Sequence, residues 1–140
     1  MSEAMRAKGW ARAFPVETGV GAGRRWARER LAMLEWTEDA PETVDAILLV
    51  VTELVTNTHL HAHTRAHVVI SWDGHCLHVH VCDDDPTLPT PRTPDTLTPG
   101  GRGLALVDAV TDDWNIHPHR HGKTIDTCFR PPTPGESTTP

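Results

Sequence analysis

The sequence lacks several features that would assign it to a broad functional class. It has no tyrosine, and 13 basic residues face 19 acidic ones, which gives a formal net charge of −6. General nucleic-acid binding relies on a basic surface, so we expect no direct nucleic-acid partner. The N-terminus lacks the basic start and apolar run of a signal peptide, and the longest apolar run, 46–51, is far shorter than a membrane span. We therefore expect a cytoplasmic protein that is not embedded in a membrane.

Cysteine is also scarce. Cys76 and Cys82 lie six residues apart on one predicted strand, which separates them by about 20 Å and excludes a disulfide between them. The total of three cysteines is odd and includes no Cys-x-x-Cys motif. This usage suits a reducing compartment.

The motifs of several enzyme and metal-binding classes are missing. None of the three serines sits in a nucleophile elbow, and no Gly-Lys-Ser/Thr sequence marks a P-loop. The ten histidines include pairs at 59/63 and 78/80 but no His-Glu-x-x-His motif. We interpret them as mostly surface residues and keep a small histidine-based metal-binding protein as the least favoured hypothesis.

Hydrophobic periodicity and turn residues divide the chain into elements. The predicted elements are a strand at 10–16, helices at 24–34 and 41–62, strands at 66–73 and 75–82, a helix at 103–110, and strands at 113–117 and 123–129. Five prolines exclude a helix or central strand from the loop 84–100. We expect a flexible arm at 1–9, one domain at 10–130 and a disordered tail at 131–140 that is rich in Pro, Ser and Thr.

This order of elements predicts an α+β fold, a two-layer sandwich of a mostly antiparallel sheet with helices on one face. In the strand at 75–82, Leu77, Val79 and Val81 alternate with polar residues. One face of that strand is therefore expected to join the core, and the other to meet water or a partner.

The second predicted helix carries the first candidate site. Glu53 and Asn57 are four residues apart and share a face opposite the main apolar stripe. Apolar residues at 46, 49 and 50 lie on that same side one turn earlier, so something should cover the pair, and a ligand is one candidate. A solvent-facing polar pair with no task is the alternative. The stripe itself consists of Val44, Ile47, Leu48, Val51, Leu54 and Val55.

Two further candidates follow along the chain. Three acids at 83–85 end a predicted strand, where a carboxylate can accept a hydrogen bond from a purine amine or simply cap a turn. The Gly-Arg-Gly-Leu sequence at 101–104 opens the third helix. Its glycines let a phosphate approach the backbone, and the helix N-terminus offers free N–H groups and a positive dipole. A flexible loop-to-helix turn is the alternative.

The order of these pieces resembles the ATPase domain shared by gyrase, heat-shock chaperones, histidine kinases and mismatch-repair proteins, called the GHKL or Bergerat fold. A helical Glu-x-x-x-Asn, an Asp after a strand, and a proline-rich loop leading to Gly-x-Gly-Leu occur in that order. The stretches at 25–28, 51–57, 101–107 and 122–124 are also similar to those of small bacterial anti-sigma-factor serine/threonine kinases.

The resemblance implies ATP and magnesium as cofactors and assigns roles to residues. Asn57 would bind magnesium through its side-chain oxygen, and Glu53 would act as general base on an incoming hydroxyl. Asp83 would read the adenine amine with Thr124 beside it, and the loop 84–100 would be a lid over the nucleotide. The cofactor-binding candidates are Asn57, Asp83, Asp85, Gly101, Arg102, Gly103, Leu104 and Thr124.

The sequence departs from the family pattern at three places along the chain. Leu-His at 60–61 stands where Arg-His often follows the Asn, and Asp126 and Thr127 stand where an aromatic residue often occurs. Asp85 replaces a Gly or Ser before proline and adds negative charge near an anionic ligand.

The resemblance therefore predicts a serine/threonine protein kinase of the anti-sigma type, which uses ATP and magnesium to phosphorylate a small antagonist protein and regulates a sigma factor. Kinases of this kind are often dimers, so a homodimer is a further expectation. The second hypothesis is a catalytically silent ATP-binding module, in which the nucleotide only orders the lid and a partner surface.

Overall fold

The computed structural model describes residues 8–19, 21–85 and 103–132. Five strands and three helices account for most of them. In chain order these are β1 (Lys8–Phe14), α1 (Gly21–Leu31), α2 (Pro41–Asn57), β2 (Ala66–Trp72), β3 (Leu77–Asp83), α3 (Gly103–Val110), β4 (Asp113–His119) and β5 (Gly122–Phe129).

The strands form one sheet in the order β1-β2-β3-β5-β4, and every neighbouring pair is antiparallel. All three helices pack on one face of this sheet, with α2 against the central strands. The predicted α+β two-layer sandwich is therefore confirmed.

The two faces of the sheet differ in composition. On the inner face, Leu77, Val79 and Val81 of β3 are buried, as their alternation in sequence predicted, and Phe129 of β5 lies buried beside them. On the outer face, the intervening residues of β3 and β5 are partly exposed and mostly polar. The helices thus cover the apolar face, and the outer face is lined largely by histidine, cysteine and carboxylate side chains.

Helix α2 is the centre of the helical layer. It begins at Pro41, whose missing N–H costs nothing in the first turn of a helix. Ile47, Val50 and Val51 are fully buried, and both α1 and α3 pack against the helix, so it is covered nearly all round. Gly23 of α1 faces this helix, and a Cβ at its position would lie in ordinary contact with Cγ2 of Val55, at 3.4 Å.

The segment Pro41–Ala62 is long and apolar enough to pass a composition test for a membrane span, although the longest uninterrupted apolar run is short. Half of the tested window is buried inside the fold. The buried helix at the centre of a soluble domain passes the same test, and the packing of α2 against sheet and helices is of that kind.

Several element boundaries differ from the predicted ones. Helix α1 spans Gly21–Leu31 rather than 24–34, and Leu34 enters the core from the turn that follows it. Strand β1 begins at Lys8, and β3 begins at Leu77 instead of residue 75.

The late start of β3 has a local cause. The Asp73 carboxylate accepts hydrogen bonds from the backbone N–H groups of Cys76 and His75, both at 2.8 Å, which holds these residues in a turn. The same hydrogen bonds, with one from His78, lower the pKa of Asp73 to about 2.

The predicted arm and tail fall mainly outside the described residues, as does most of the proline-rich loop 84–100. Their predicted roles, and the domain limits 10–130, remain predictions.

Candidate functional site

Asn57 is the last residue of α2 and is buried, with 3% relative exposure. Within the described residues, neither its side-chain oxygen nor its side-chain nitrogen has a hydrogen-bond partner. A buried amide without a partner costs about 1–3 kcal/mol, so such groups usually have a ligand, a metal ion or water to bind. The helix continues directly into a π-helical turn, Thr58–Ala62, and π turns inside helices are frequent at functional sites.

Glu53 lies one turn before Asn57 on the same helix and is partly exposed. Its carboxylate makes no ion pair or hydrogen bond with any other described residue. Side chains four residues apart on a helix are neighbours, with about 5–6 Å between their Cβ atoms. The fold therefore places an unpaired carboxylate next to an unpaired amide, a combination that can bind a cation and accept a proton.

Asp83 lies at the end of β3 and is buried on the inner face. Its Oδ2 atom lies 2.7 Å from Nζ of Lys123, and both side chains are only 7% exposed. Its Oδ1 atom accepts hydrogen bonds from the backbone N–H of Asp85 at 2.9 Å and of Lys123 at 3.3 Å. The carboxylate predicted to read adenine is thus already held by three donors.

Sequence reasoning missed Lys123. Strand alternation could have found it, because Lys123 shares the inner face with Ile125, Thr127 and Phe129. A lysine on a buried face is almost never left unpaired, so this position calls for a carboxylate partner. Its Nζ also donates to the backbone carbonyl of Asp85 at 3.2 Å.

The predicted placement of Thr124 beside Asp83 is wrong. The β3–β5 register pairs Asp83 with Lys123 and Cys82 with Thr124. Successive side chains of a strand point to opposite faces, so Thr124 lies on the outer face. Its hydroxyl lies 3.2 Å from Nε2 of His119.

Gly122 begins β5 at the point where β5 meets the end of β3. A Cβ at this position would overlap the carbonyl oxygen of Asp83 and lie 3.0 Å from Cα of Asp84. The obstructing atoms belong to the backbone and cannot rotate away. Glycine is therefore required here, and it lets the backbone carrying Lys123 approach Asp83.

The glycine-rich candidate is described only in part. Gly103 begins α3, and Val107 of that helix is buried in the core. Gly101, Arg102 and the side chain of Leu104 lie outside the described residues, so their predicted roles in cofactor binding remain predictions. Asp85 is partly buried, and its backbone N–H and carbonyl close the turn around Asp83 and Lys123.

The predicted magnesium ion requires donor atoms of a particular chemical kind. Magnesium prefers hard oxygen ligands and commonly binds through one or two protein groups plus phosphates and water. The Asn57 amide oxygen is such a ligand, and it is buried without a partner among the described residues. The residues present therefore fit a magnesium ion held jointly by Asn57 and a phosphate-bearing ligand.

A solved structure supports the fold. The chain is similar to a crystal structure of the RsbU and RsbW domains of Rv1364c from Mycobacterium tuberculosis, with a TM-score of 0.64 and 18% sequence identity. The alignment covers 88% of this chain and 32% of that one, so the chain spans about a third of the length of its structural relative. At this identity the likeness shows a shared fold.

No curated protein matches the sequence significantly. The profile described as the histidine kinase-like ATPase domain matches residues 18–129, which include α2, β3, α3 and β5 and most of the 140 residues. The resemblance stated from the sequence motifs is thereby confirmed, and the chain belongs to the histidine kinase-like ATPase domain family.

Proposed function

We propose that this protein binds ATP with magnesium and transfers the γ-phosphate to a serine or threonine of a small antagonist protein, while also regulating a sigma factor. The observation that carries the proposal is the buried amide of Asn57 beside the Glu53 carboxylate on α2, both without a partner in the part of the chain that the structure describes. A polar pair with no task would be expected to face water, whereas Asn57 is 3% exposed.

Asn57 would hold magnesium through its side-chain oxygen. When bound, the ion supplies positive charge that neutralises the phosphate oxygens as the phosphoryl group moves. Glu53 would accept the proton of the attacking serine or threonine hydroxyl, and the oxygen of that hydroxyl would form a bond to the γ-phosphorus as the bond to ADP breaks. The partial exposure of Glu53 fits this role, because the base must reach a hydroxyl on another protein.

Asp83 would accept a hydrogen bond from the adenine amine. A carboxylate offers about four lone-pair sites, and the three donors from Lys123 and Asp85 leave one for the purine. In this arrangement Lys123 and the turn at Asp85 fix the orientation of the carboxylate before the nucleotide arrives. Gly101 and Gly103 would contact phosphate through their backbone, and the loop 84–100 would cover the nucleotide.

A catalytically silent ATP-binding module is the second candidate. It is favoured by the Lys123–Asp83 ion pair, which holds a carboxylate oxygen in the adenine region, and by the added acid at Asp85. In such a module the nucleotide would order the lid and a partner surface without turnover.

The likeness to a structure that contains an RsbW domain supports the anti-sigma type of partner. The partners of this protein would then be an antagonist protein and a sigma factor, in the cytoplasm, with a homodimer as the assembly. Size measurement by light scattering tests the homodimer, and copurification tests the two partners.

Nucleotide binding is tested first by calorimetry with ATP, with and without magnesium, on wild type and Asn57→Leu. We expect magnesium-dependent binding to wild type and at least about a tenfold loss in the variant, which corresponds to about 1.4 kcal/mol. Absence of binding at millimolar ATP would end both nucleotide proposals.

Turnover is tested by transfer of labelled γ-phosphate to an antagonist protein encoded beside this chain, with Glu53→Gln as the matched variant. The glutamine keeps the size of the side chain but cannot accept the proton. Loss of labelling with retained ATP binding supports the kinase. Equal labelling by both proteins contradicts the base assignment, and no labelling by wild type despite ATP binding supports the silent module.

A further inference from the structure

The outer face of the sheet carries a second cluster of titratable groups, on the side opposite the helices. His78 and His80 lie two residues apart on β3 and point to this face, and their rings stack with centroids 6.0 Å apart. His80 is paired directly with Asp126 on the neighbouring strand β5. One ligand atom from each of these three residues falls within 4.8 Å of the other two.

A third histidine approaches the same carboxylate from β4. Nε2 of His117 lies 3.5 Å from Oδ2 of Asp126, while Nδ1 of His80 lies 2.8 Å from Oδ1. Asp126 therefore lies between imidazoles from two different strands, and β3, β5 and β4 each contribute a group. Three adjacent strands converge on one carboxylate at a place that the ATP proposal does not use.

The Oδ1 atom of Asp126 is buried and lacks a hydrogen bond within the described part of the chain. His80 is close to it, at 2.8 Å, but the contact does not meet the angular requirement of a hydrogen bond. A buried carboxylate oxygen without a donor is costly, and a cation would satisfy it. The unsatisfied oxygen is evidence for a ligand that does not depend on how many histidines lie nearby.

The ligand atoms of the cluster are two imidazole nitrogens and one carboxylate oxygen. The donor set is thus nitrogen and oxygen, without thiolate.

We propose that His78, His80 and Asp126, with His117 as a fourth ligand, form a binding site for a zinc-class divalent transition-metal ion on the outer face of the sheet. Imidazole and carboxylate together suit zinc, copper or nickel and disfavour magnesium and calcium, which prefer all-oxygen sites.

Donors about 2.1 Å from a tetrahedral zinc lie about 3.4 Å apart. The widest separation in the cluster, at most 4.8 Å, must shorten by up to about 1.4 Å, and the 2.8 Å between Nδ1 of His80 and Oδ1 of Asp126 must widen by about 0.6 Å. Partly exposed side chains can do this by rotation. His78 would leave Asp73, an exposed contact at 3.0 Å that is worth little in water.

The ion would join β3, β5 and β4, and two of these strands, β3 and β5, also carry residues of the proposed ATP site. β3 carries His80 on the outer face and ends at Asp83, and β5 carries Asp126 on the outer face and Lys123 on the inner. The proposed metal site is on the opposite face of the sheet from Lys123 and does not include Asn57. Zinc binding is therefore expected without nucleotide and in the Asn57→Leu variant.

The test is calorimetry with zinc ions alone on untagged, metal-stripped full-length protein without nucleotide. We expect one zinc per chain in wild type and at least about tenfold weaker binding in both His80→Ala and Asp126→Asn. His67→Ala is the matched control, because His67 also faces a carboxylate, Asp84 at 3.6 Å, but belongs to no cluster of three ligands among the described residues. It should bind zinc as wild type does.

Cobalt substitution gives a second readout, since a tetrahedral cobalt site with nitrogen and oxygen ligands absorbs visible light strongly, whereas an octahedral, largely hydrated ion on surface histidines absorbs it only weakly. Far-ultraviolet circular dichroism on each variant shows whether the sheet is folded. The proposal is overturned if folded wild type binds no zinc at 100-micromolar levels (about 5.5 kcal/mol), if zinc affinity is unchanged in folded His80→Ala, or if His67→Ala loses zinc to the same extent.

Discussion

Asn57 and Asp83 are both buried polar residues in regions assigned to the same ligand, yet their surroundings are opposite. Asn57 ends a helix, and its amide has no hydrogen-bond partner within the described residues. Asp83 ends a strand and is held by Lys123 and by two backbone N–H groups. A polar group prepared for a ligand can thus be left unsatisfied or fixed in advance by protein donors. The unsatisfied amide of Asn57 destabilises the ligand-free protein, whereas the hydrogen-bonded carboxylate of Asp83 supports its fold.

The largest effect should come from breaking the Asp83–Lys123 pair. Lys123→Met leaves a buried carboxylate without its cation, and we expect a loss of about 3–5 kcal/mol in the free energy of unfolding, measured in urea. The double variant Asp83→Leu/Lys123→Met removes both charges and should recover most of this loss. A single variant as stable as wild type would show that the pair does not support the fold.

Substitution of Gly122 tests whether the close approach of β5 to Asp83 requires a residue without a side chain. In Gly122→Ala the new Cβ overlaps the carbonyl of Asp83, and we expect a loss of about 1–3 kcal/mol in thermal or urea unfolding. Gly9→Ala is the matched control in β1, where the nearest atom would lie 3.6 Å away in ordinary contact. If both substitutions have the same effect, the close approach is not what constrains residue 122.

Substitution of Asn57 should change the free energy of unfolding in the opposite direction to substitution of Lys123. Asn57→Leu removes an unsatisfied buried amide at similar volume, and we expect the nucleotide-free protein to gain about 1 kcal/mol in unfolding free energy. The same variant should lose magnesium-dependent ATP binding. Stability that falls on this substitution would mean that the amide has a protein partner, and the contrast with Asp83 would disappear.

The smallest effect concerns Asp73, a carboxylate that is satisfied like Asp83 but exposed. Backbone N–H groups of Cys76 and His75 lower its folded pKa to about 2 from an ordinary value of 3.8. Its contribution is therefore present above about pH 4 and is lost as the pH falls toward 2.

For Asp73→Asn we expect a weaker acid dependence of stability in that window. The difference should be about 1 kcal/mol or less, because solvent screens the exposed group. If the stability of wild type and of Asp73→Asn falls equally between about pH 4 and pH 2, the hydrogen bonds assigned to Asp73 at the hairpin turn are contradicted.

The local pattern of the sequence predicted much of the fold. The apolar stripe of α2 and the alternation of Leu77, Val79 and Val81 gave the correct elements, because each signal lies within neighbouring residues. Glu53 and Asn57 could be placed on one helix face for the same reason. The family could be named from the order of motifs.

Boundaries were less predictable. The Asp73 carboxylate accepts hydrogen bonds from the backbone N–H groups of the two residues that were expected to begin β3. The sequence only weakly indicates such competition between side-chain and backbone hydrogen bonds. Helix α1 includes Gly21 and Gly23, although glycine disfavours a helix locally. Gly23 faces Val55, a distant residue, so tertiary contacts rather than local propensity support the helix there.

The sequence by itself determined the family through the order of its motifs. It determined the layer architecture and the helix face that carries Glu53 and Asn57 through periodicities of two and about 3.6 residues. The tertiary structure decided that Lys123, and not Thr124, meets Asp83, and that Asp126 lies among histidines on the outer face. The register between β3 and β5 pairs residues that are 40 to 52 positions apart, and a shift of one residue would move every side chain to the other face. Such a register is set by the packing of the whole sheet against its helices, which no short stretch of sequence encodes.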